Sequence, residues 1–499
     1  MKAIRHIALL GIPTVLCATL AACGGGGGGG GSSPSSFSIG GSASGFTGVL
    51  QLLDNGSDSL SLSQPGTFTF AKKVASGSPY AVSVGMYPPA QYCSIANGSG
   101  TAKANVSNVG VSCAPGTLKT LYTFGSTTQA PVGVADGDLT LGADGNYYGT
   151  TAQGGAKGEG TLFKMTPAGQ VTVLYSFGMA ANDGTTPYGR PVYGPKGNLY
   201  GVTNSGGSNG LGTLYEVDPA TGQETVLVDF NGTADGSNPT GSPLLGSNGK
   251  LYGTTLGGGQ FGEGVLYDYD LATNTFTSLH DFAGGNLPAA NQDLGHPHRS
   301  LMQATNGLIY GTTLLGGADG IGGVYQWAPG SGATSGYQVV ASFTGATGQP
   351  AHPDGGLVQS SNGELYGVSL SGGTGNHGTI YSVNLTNNTI STLYDFTGGQ
   401  DGEAPNGTPC IGSDGNLYVV AGQGGLSGAT TGTGTVDEVS TAGVLQRVVY
   451  TFPATGQGST GQELQGPVAG LIVGANGFLY GLAETGGGST GGGGIYQID

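Results

Sequence analysis

The stretch Asn-Tyr-Tyr-Gly-Thr-Thr at residues 146–151, followed by Gly154-Gly155, decides the fold because variants of it recur along the chain. The tyrosine before the glycine position occurs seven times, at Tyr148, Tyr200, Tyr252, Tyr310, Tyr366, Tyr418 and Tyr480. Copies lie 52 to 62 residues apart, a spacing that suits one four-stranded unit per repeat. Such a unit has too little core to be stable alone and must stack on its neighbours. The repeat therefore predicts the architecture, although not the function.

A second residue recurs in phase with the tyrosine. A phenylalanine ends a run of β-branched and aromatic residues in each repeat, at Phe124, Phe177, Phe230, Phe282, Phe343, Phe396 and Phe452. In the first complete unit we predict strand a around Leu139, strand b at residues 146–151, strand c at 161–165 and strand d at 171–177. Asn-Gly and Asp-Gly pairs between alternating runs are strong hairpin signals, so each unit is predicted to be an antiparallel meander.

The order of the strands predicts how the array closes. The first d-type run, Leu118 to Phe124, precedes the first complete unit, whereas the chain ends at 494–499 on a c-type strand without a following d strand. Seven d strands exist only if this N-terminal run completes the last unit, which would also cover an open sheet edge. The predicted fold is all-β: a seven-bladed β-propeller at 118–499, closed by an N-terminal strand and preceded by a small disulfide-bonded β-sandwich. A curved solenoid, which would not need the displaced strand, is the alternative.

At this point the chain resembles a known family, the Gloeo/Verruco, or GloVer, tandem-repeat proteins of bacteria. The resemblance rests on the copy at 146–163, with its Gly160-Thr161-Leu162-Phe163 end, and on the Leu-Tyr-Gly copies at 199–201, 251–255 and 309–313. It covers roughly residues 118–499. Copy six departs from the pattern because Val419 stands where the glycine is expected, which puts the packing of that unit in doubt. The resemblance implies a fold and a location at the cell surface, and it implies no activity.

The N-terminus predicts a lipoprotein. Lys2 and Arg5 precede an apolar run at 7–16 that is too short to span a membrane, and Leu-Ala-Ala-Cys at 20–23 matches a lipobox. We therefore expect a signal peptide at residues 1–22 and a lipid on Cys23. The alternative is an ordinary secretory cleavage after Ala-Ala, with Cys23 incidental.

The segment after Cys23 favours an anchor. Residues 23–36 form a Gly/Ser-rich tether that would reach about 20 Å as a flexible coil. Lipoproteins kept in the inner membrane commonly carry Asp after the lipidated cysteine, whereas this chain has Gly24. We expect an outer-membrane lipoprotein whose lipid is its one membrane attachment.

The composition argues against nucleic acid as a partner. The net charge is −16, and only 13 − 2 = 11 Lys and Arg remain once Lys2 and Arg5 leave with the signal peptide. They are scattered, with Lys72-Lys73 as the one adjacent pair, so no basic stripe exists to neutralise phosphates.

The remaining cysteines divide between two folded units. Residues 37–114 alternate apolar and polar side chains and are predicted to form an Ig-like β-sandwich. Cys93 and Cys113 lie 20 residues apart in it, and a bridge between them would stabilise the domain by roughly 3 kcal/mol in an oxidising compartment. Cys410 lies on an a strand where other copies hold Leu or Val, so we expect a buried core thiol.

The glycine loops between strands b and c superficially resemble phosphate-binding loops, as at 154–160 and 206–212. Those motifs need a helix N-terminus to receive the phosphate, and here a strand follows. We interpret the glycines as positions of positive φ in a wide hairpin and predict no cofactor.

A more informative recurrence is Asp-Gly-x-x-Pro after strand d, at Asp183, Asp235 and Asp401. In a meander successive loops alternate ends, so these loops and the glycine loops should emerge on one face. That face is the candidate binding face. The simpler interpretation is that Asp caps a tight turn and Pro enters strand a.

Other polar residues give weaker hypotheses. His296 and His298, with Asp293 nearby, could ligate a metal, but Pro297 separates them and no third ligand is evident, so no metal is predicted. Glu364 and Glu484 break the repeat as catalytic carboxylates should, yet both lie where charge is tolerated.

Two functions remain from the sequence. In the first, the propeller is a non-catalytic binding or scaffold module for a glycan, a peptide or an envelope partner, present as a monomer. In the second, it is a propeller enzyme, a hydrolase or lyase acting on polysaccharide with an acid/base pair from inward-facing carboxylates. The first is favoured because no such pair can be named.

Overall fold

The computed structural model describes residues 35–46, 49–86, 88, 91–115, 117–125, 131–132, 137–286, 293–331, 335–427, 430–453, 463–487 and 492–498. The predicted signal peptide, Cys23 and nearly all of the tether lie outside these residues. Within them the chain is all-β, as predicted, apart from one 3₁₀ turn at Gly284–Asn286. No helix in the described part is long and apolar enough to cross a bilayer.

The N-terminal unit contains ten strands. They are β1 (Ser36–Phe37), β2 (Ile39–Ser44), β3 (Leu50–Asp54), β4 (Asp58–Leu62), β5 (Gly66–Thr69), β6 (Val74–Ala75), β7 (Pro79–Met86), β8 (Gln91–Ala96), β9 (Ser99–Thr101) and β10 (Val106–Pro115). One sheet has the order β5-β2-β10-β8, a second has the order β4-β3-β7-β9, and β1 pairs with β6. Strands β2 and β10 are parallel.

One hydrophobic core joins the two larger sheets. Phe68 and Val111 enter it from the first sheet, and Leu52 and Val82 enter it from the second. Cys93 and Cys113 are directly opposed on β8 and β10 and form a disulfide. This bond confirms the predicted pairing, and it crosses the edge of the first sheet next to the shared core.

The repeats form seven further sheets. Sheet 1 consists of β13 (Thr140–Leu141), β14 (Tyr147–Thr151), β16 (Thr161–Met165) and β17 (Val171–Ser176). Sheet 2 consists of β18 (Gly184–Tyr193), β19 (Leu199–Gly206), β20 (Thr213–Val217) and β21 (Glu224–Asp229). Sheet 3 consists of β22 (Leu244–Leu245), β23 (Lys250–Thr255), β24 (Val265–Asp270) and β25 (Thr275–Asp281).

Sheets 4 and 5 have a first strand in two pieces. Sheet 4 consists of β26 (Leu294–Pro297), β27 (Met302–Gln303), β28 (Ile309–Gly316), β29 (Gly323–Trp327) and β30 (Tyr337–Ser342). Sheet 5 consists of β31 (Pro350–Pro353), β32 (Val358–Gln359), β33 (Leu365–Gly372), β34 (Thr379–Asn384) and β35 (Thr389–Asp395).

Sheet 6 consists of β36 (Glu403–Ile411), β37 (Leu417–Gln423), β40 (Thr435–Val439) and β41 (Leu445–Thr451). Sheet 7 consists of β42 (Leu464–Val473), β43 (Leu479–Gly486), β44 (Gly494–Ile498) and β11 (Leu118–Thr123). Two short pairs lie outside these sheets, β12 (Pro131–Val132) with β15 (Gln153–Gly154) and β38 (Leu426–Ser427) with β39 (Thr430–Thr431). All neighbouring strands of the seven sheets are antiparallel, which confirms the predicted meander.

The last strand of sheet 7 comes from the N-terminal side of the repeats. Leu118 on β11 pairs with Ile498 on β44, and Thr123 pairs with Gly494. This is the pairing that the strand count predicts, because β44 is otherwise an open edge.

Hydrophobic clusters lie between consecutive sheets. Tyr148 and Phe177 of sheet 1, for example, pack with Tyr215 of sheet 2. Equivalent clusters join each later sheet to the next one along the chain. A further cluster joins sheet 7 to sheet 1, where Tyr480 and Tyr147 stack with their ring centroids 4.4 Å apart. The repeated tyrosines and phenylalanines therefore supply the packing between sheets.

Sheet 6 replaces one packing pair by another. In sheet 2, Gly201 faces Tyr215 across the strands, and a Cβ at Gly201 would lie 2.2 Å from the tyrosine hydroxyl. Sheet 6 instead has Val419 facing Asp437. The valine side chain and the shorter carboxylic acid together replace the glycine and the aromatic ring, which resolves the doubt raised by copy six.

The first strand of five sheets is interrupted at an equivalent point. In sheet 2 the pairing register shifts between Tyr188 and Val192, so Gly189, Arg190 and Pro191 leave the ladder. The same shift occurs in sheets 6 and 7, and the gap between the two pieces of the first strand lies at this point in sheets 4 and 5. We call these interruptions, and the equivalent residues before the short first strands of sheets 1 and 3, the axial bulges. The axial bulges of sheets 1, 2, 3, 4 and 6 line one small cavity.

Candidate functional site

The three aspartates of the Asp-Gly-x-x-Pro motif lie in the loops before the first strands. Asp183 Oδ2 accepts hydrogen bonds from Tyr175 Oη and the backbone N–H of Met179, both at 2.8 Å. Asp401 Oδ2 similarly accepts from Tyr394 Oη at 2.8 Å and from the N–H of Thr397 at 2.9 Å. Both side chains are buried.

Asp235 is held differently because its partner is missing. Tyr175 and Tyr394 lie two residues before the phenylalanine that follows strand d, where sheet 2 has Val228. Within the described residues, Asp235 accepts only from the exposed N–H of Asn231, at 3.0 Å. The motif therefore ties the turn to the preceding strand where a hydroxyl is available, which agrees with the turn-capping interpretation.

The aspartate loops and the glycine loops share one face of the array. The N–H of Thr186 donates to Glu159 O at 2.8 Å, and the N–H of Asn238 donates to Leu211 O at 2.8 Å. Gly160, with φ of +106°, shows why glycine is needed, because a Cβ there would lie 2.3 Å from Pro187 Cδ. We call this side the loop face.

Asp183 also has an acidic neighbour, Glu224. Burial, and secondarily the nearby charge of Asp183, raises the pKa of Glu224 to about 7. Asp183 Oδ1 and Glu224 Oε1 are both buried without a hydrogen-bond partner among the described residues.

The histidines do not converge. His296 Nε2 lies 3.5 Å from Glu263 Oε2, whereas His298 Nδ1 lies 3.3 Å from Asp354 Oδ1. In the described part of the chain no three metal-ligating side chains form a group.

The two glutamates that break the repeat lie away from the axial bulges. Glu364 accepts hydrogen bonds from Tyr366 Oη and Asn384 Nδ2, both at 3.1 Å, in the turn where the sequence predicted it. Glu484 is exposed on β43.

The axial bulges bring a different set of residues together. One residue from each bulge occupies the equivalent position, namely Asp138, Arg190, Ser242, Ser300, Gly356, Thr408 and Gly470. Packing repeats from sheet to sheet, but these residues do not. Packing explains the glycines, since a Cβ at Gly470 would lie 2.3 Å from the backbone oxygen of Thr408. It does not explain the charged and hydroxyl side chains, so this set is the first part of the candidate site, which we call the axial site.

Glycines allow the bulges to approach each other. Gly189 has φ of +70°, and a Cβ there would lie 2.8 Å from Ser242 Oγ. A Cβ at Gly407 would lie 2.1 Å from the backbone carbon of Ala469. Arg190 N donates to Ser242 Oγ at 2.8 Å, and the N–H of Gly470 donates to Asp138 Oδ1. The second of these bonds links the axial bulges of sheets 7 and 1.

A second set of varied residues lies nearer the loop face than the axial bulges. The residue after the motif proline varies between repeats, as Tyr188, Thr240, His298, Asp354, Asn406 and Val468. Arg299 donates from Nε and Nη2 to Asp354 Oδ1 at 3.0 Å, next to His298. Burial alone would raise the pKa of Asp354, but His298 and Arg299 hold it below its usual value. This acid is therefore ionised and pairs with Arg299.

Two cavities open on the opposite side of the axial bulges from the loop face. The larger, of about 600 Å³, is lined by Asp138, Arg190, Gln359, Ser360, Thr408 and Cys410, among others. The smaller, of about 400 Å³, is lined by Thr140, Arg190, Tyr193, Leu245, Ser300 and Ile472, among others. Volumes of this size suit small ligands.

A third, narrow space of about 20 Å³ lies among Thr240, Arg299 and the axial bulges. Arg190 is common to both large cavities. The candidate ligand space therefore lies on the turn side, away from Asp183, Asp235 and Asp401.

Cys410 lies on β36 directly after its axial bulge. It packs against the cluster between sheets 6 and 7 but also lines the larger cavity, so it is only partly buried. Burial, together with the charges of Asp138 and Asp414, raises the pKa of its thiol to about 12. The thiol is therefore protonated and a poor nucleophile at neutral pH.

Sequence reasoning missed Arg190, Asp138 and the His298–Asp354 pair as members of one site. Their signal is present in the chain, because each lies at a position that varies between repeats, one or three residues after the motif proline or its equivalent. In the sequence, Glu364 and Glu484 break the repeat more visibly.

Comparison with known proteins identifies relatives. The Gloeobacter/Verrucomicrobia repeat profile matches residues 90–294 and 296–499. Curated proteins give no match.

Among solved structures, this chain is similar to the extracellular domain of BT4673 from B. thetaiotaomicron, which is described as a hybrid two-component system. The TM-score is 0.51 and the sequence identity is 13%. The match covers 77% of this chain and 39% of the BT4673 chain. The corresponding domain of BT3049 has a TM-score of 0.49 and 14% identity, over 79% and 43%. The chain thus spans about two fifths of the length of these structures.

Proposed function

Because the chain belongs to the Gloeobacter/Verrucomicrobia repeat family, we propose that it is an extracytoplasmic binding module. Its seven sheets are the blades of a closed β-propeller that presents the axial site to a ligand. The ligand is a glycan, a peptide or another envelope component, bound without chemical change.

Three observations support the closed ring. A hydrophobic cluster lies at each junction between consecutive sheets and also between sheets 7 and 1. Strand β11 covers the edge of β44. The Asp138–Gly470 hydrogen bond adds a polar contact at the same junction.

One observation carries the proposed binding role: the residues that pack between sheets repeat along the chain, whereas the residues of the axial bulges vary. Side chains at the sheet junctions recur, whereas the axial positions hold acid, base, hydroxyl and glycine in turn. Close packing accounts for the glycines, but it does not require the acid, the base or the hydroxyls. Cavities of about 600 and 400 Å³ beside them provide the space.

The proposal includes a location outside the cytoplasm. The lipobox at 20–23 and the tether at 23–36 support lipid attachment at Cys23, and Gly24 favours the outer membrane. The Cys93–Cys113 disulfide fits an oxidising compartment. The fold is also similar to a domain described as extracellular.

Attachment through Cys23 has a direct test. Changing Cys23 to Ala should release the protein into the soluble envelope fraction and abolish labelling by a fatty-acid probe, since the thiol is the acceptor of the lipid. Labelling that persists in the variant would contradict the proposal.

Binding is tested by screening the purified full chain against arrays of glycans and envelope peptides. Ser413 is exposed at the rim of the larger cavity, so Ser413→Trp should weaken binding of any hit at least tenfold. Ser247 is the repeat-equivalent turn residue of sheet 3, and Ser247→Trp should leave binding intact. The binding role is wrong if neither array yields a ligand, or if both variants bind it as the parent does.

A polysaccharide-cleaving enzyme is the second candidate, favoured by one observation. His298 and Asp354 form an imidazole–carboxylate pair 3.3 Å apart near the aromatic ring of Tyr188, an arrangement that suits a general base. Product analysis on the same glycans decides between the two functions. Cleavage that is lost in His298→Ala while binding is retained would favour the enzyme.

A further inference from the structure

Arg190 differs from the other arginines of the described chain. Arg299 pairs with Asp354, and Arg447 pairs with Glu438. Arg190, by contrast, has no carboxylate within 4 Å of its guanidinium in the part that the structure describes. A partly buried guanidinium without a paired anion is costly, and this one faces both large cavities.

The backbone that carries Arg190 is fixed. Its N–H donates to Ser242 Oγ at 2.8 Å, Gly189 before it packs tightly on Ser242, and Pro191 after it restricts the chain. The side chain therefore leaves a rigid bulge rather than a mobile loop, which is the setting of a preorganised contact.

The acid in the same cavity is already engaged. Asp138 lines the larger cavity, but its Oδ1 accepts the N–H of Gly470. Its negative charge also disfavours a dianion such as phosphate more strongly than a singly charged group. The planar guanidinium fork matches a carboxylate with two parallel hydrogen bonds.

We propose that Arg190 binds the carboxylate of a small acidic ligand in the axial cavities, either a uronic acid residue of a glycan or an organic acid. This deepens, and rests on, the proposed binding function. Hydroxyl and amide side chains of Gln359, Ser360 and Thr408 line the same space and can bind the remaining polar groups of such a ligand.

The test is isothermal titration of the full chain with a galacturonate trimer, its uncharged methyl ester, the monocarboxylate gluconate and inorganic phosphate. We expect the trimer or gluconate to bind, and Arg190→Gln to weaken that binding by about 10- to 100-fold, as loss of a charge-assisted pair does. Lys196 is exposed in the turn after the same strand. Lys196→Gln removes the same charge from the same side and should leave binding unchanged.

The outcomes separate this inference from the binding function itself. Equal binding of the ester, stronger binding of phosphate, or an unaffected Arg190→Gln variant with an unchanged melting temperature overturns the carboxylate site. If no acidic probe binds but a neutral array ligand is lost in Ser413→Trp, the binding function stands and the role of Arg190 is refuted. Failure of both screens removes the two together.

Discussion

Asp437 shows how one exchanged residue changes the chemistry of a repeat. It replaces the aromatic residue of the other sheets and is fully buried, with Oδ2 accepting from Thr435 Oγ1 at 2.5 Å. Its Oδ1 has no partner among the described residues. Burial, offset in part by Thr435 and reinforced by Asp401, raises the pKa of Asp437 well above its ordinary value.

The raised pKa makes sheet 6 sensitive to pH. In the unfolded chain Asp437 titrates near about 3.9, whereas in the folded protein it stays protonated to a higher pH. Folding therefore takes up a proton, and the stabilisation present below the unfolded pKa is lost as pH rises toward the folded pKa.

Asp437→Asn should remove this dependence. The variant should gain stability over the parent as pH rises from 4, by up to about 1.4 kcal/mol for each pH unit below the folded pKa. Denaturant unfolding of both proteins at pH 4, 5.5 and 7 measures the difference. A gap that does not change across this range would show that Asp437 is ionised in the folded state.

At the scale of elements, the strands follow from the sequence. Strand c was predicted at 161–165 and is observed at Thr161–Met165, and strand d was predicted at 171–177 and is observed at Val171–Ser176. Alternation and Asn-Gly or Asp-Gly turns act over a few residues, so a local pattern is enough to locate these elements.

The axial site could not be predicted in the same way. Its residues lie about 50 positions apart and meet only because register shifts carry the axial bulges toward one centre. In the sequence, Arg190 and Asp138 resemble ordinary variation near a turn. Comparing the repeats column by column would have found the varied positions, but not the cavities beside them.

The aspartate turns give a prediction at this scale. Asp401→Ala should lower the free energy of unfolding by about 1 to 3 kcal/mol, because Tyr394 Oη and the N–H of Thr397 would lose their acceptor. Asp235→Ala is the matched control and should cost less than about 1 kcal/mol, since its one contact is exposed. Equal losses in urea titrations would contradict the capping role.

At the scale of the whole molecule, the proposed function depends on ring closure. The axial site forms only if the bulges of sheets 7 and 1 meet, as the Asp138–Gly470 contact requires. An open solenoid would keep each sheet and most of the clusters but would separate Arg190 from the far wall of the larger cavity, at residues 471–473.

A crosslink between the two ends of the repeat region tests this claim most directly. Lys119 on β11 and Gln497 on β44 are directly opposed, at a separation that a disulfide spans. Gln326 is the repeat-equivalent of Gln497 in sheet 4, so the pair Lys119→Cys with Gln326→Cys serves as the control. Peptide mapping of the oxidised monomer should find a 119–497 link and no 119–326 link. A monomer with free thiols at 119 and 497, or linkage only between two chains, would contradict the closed ring.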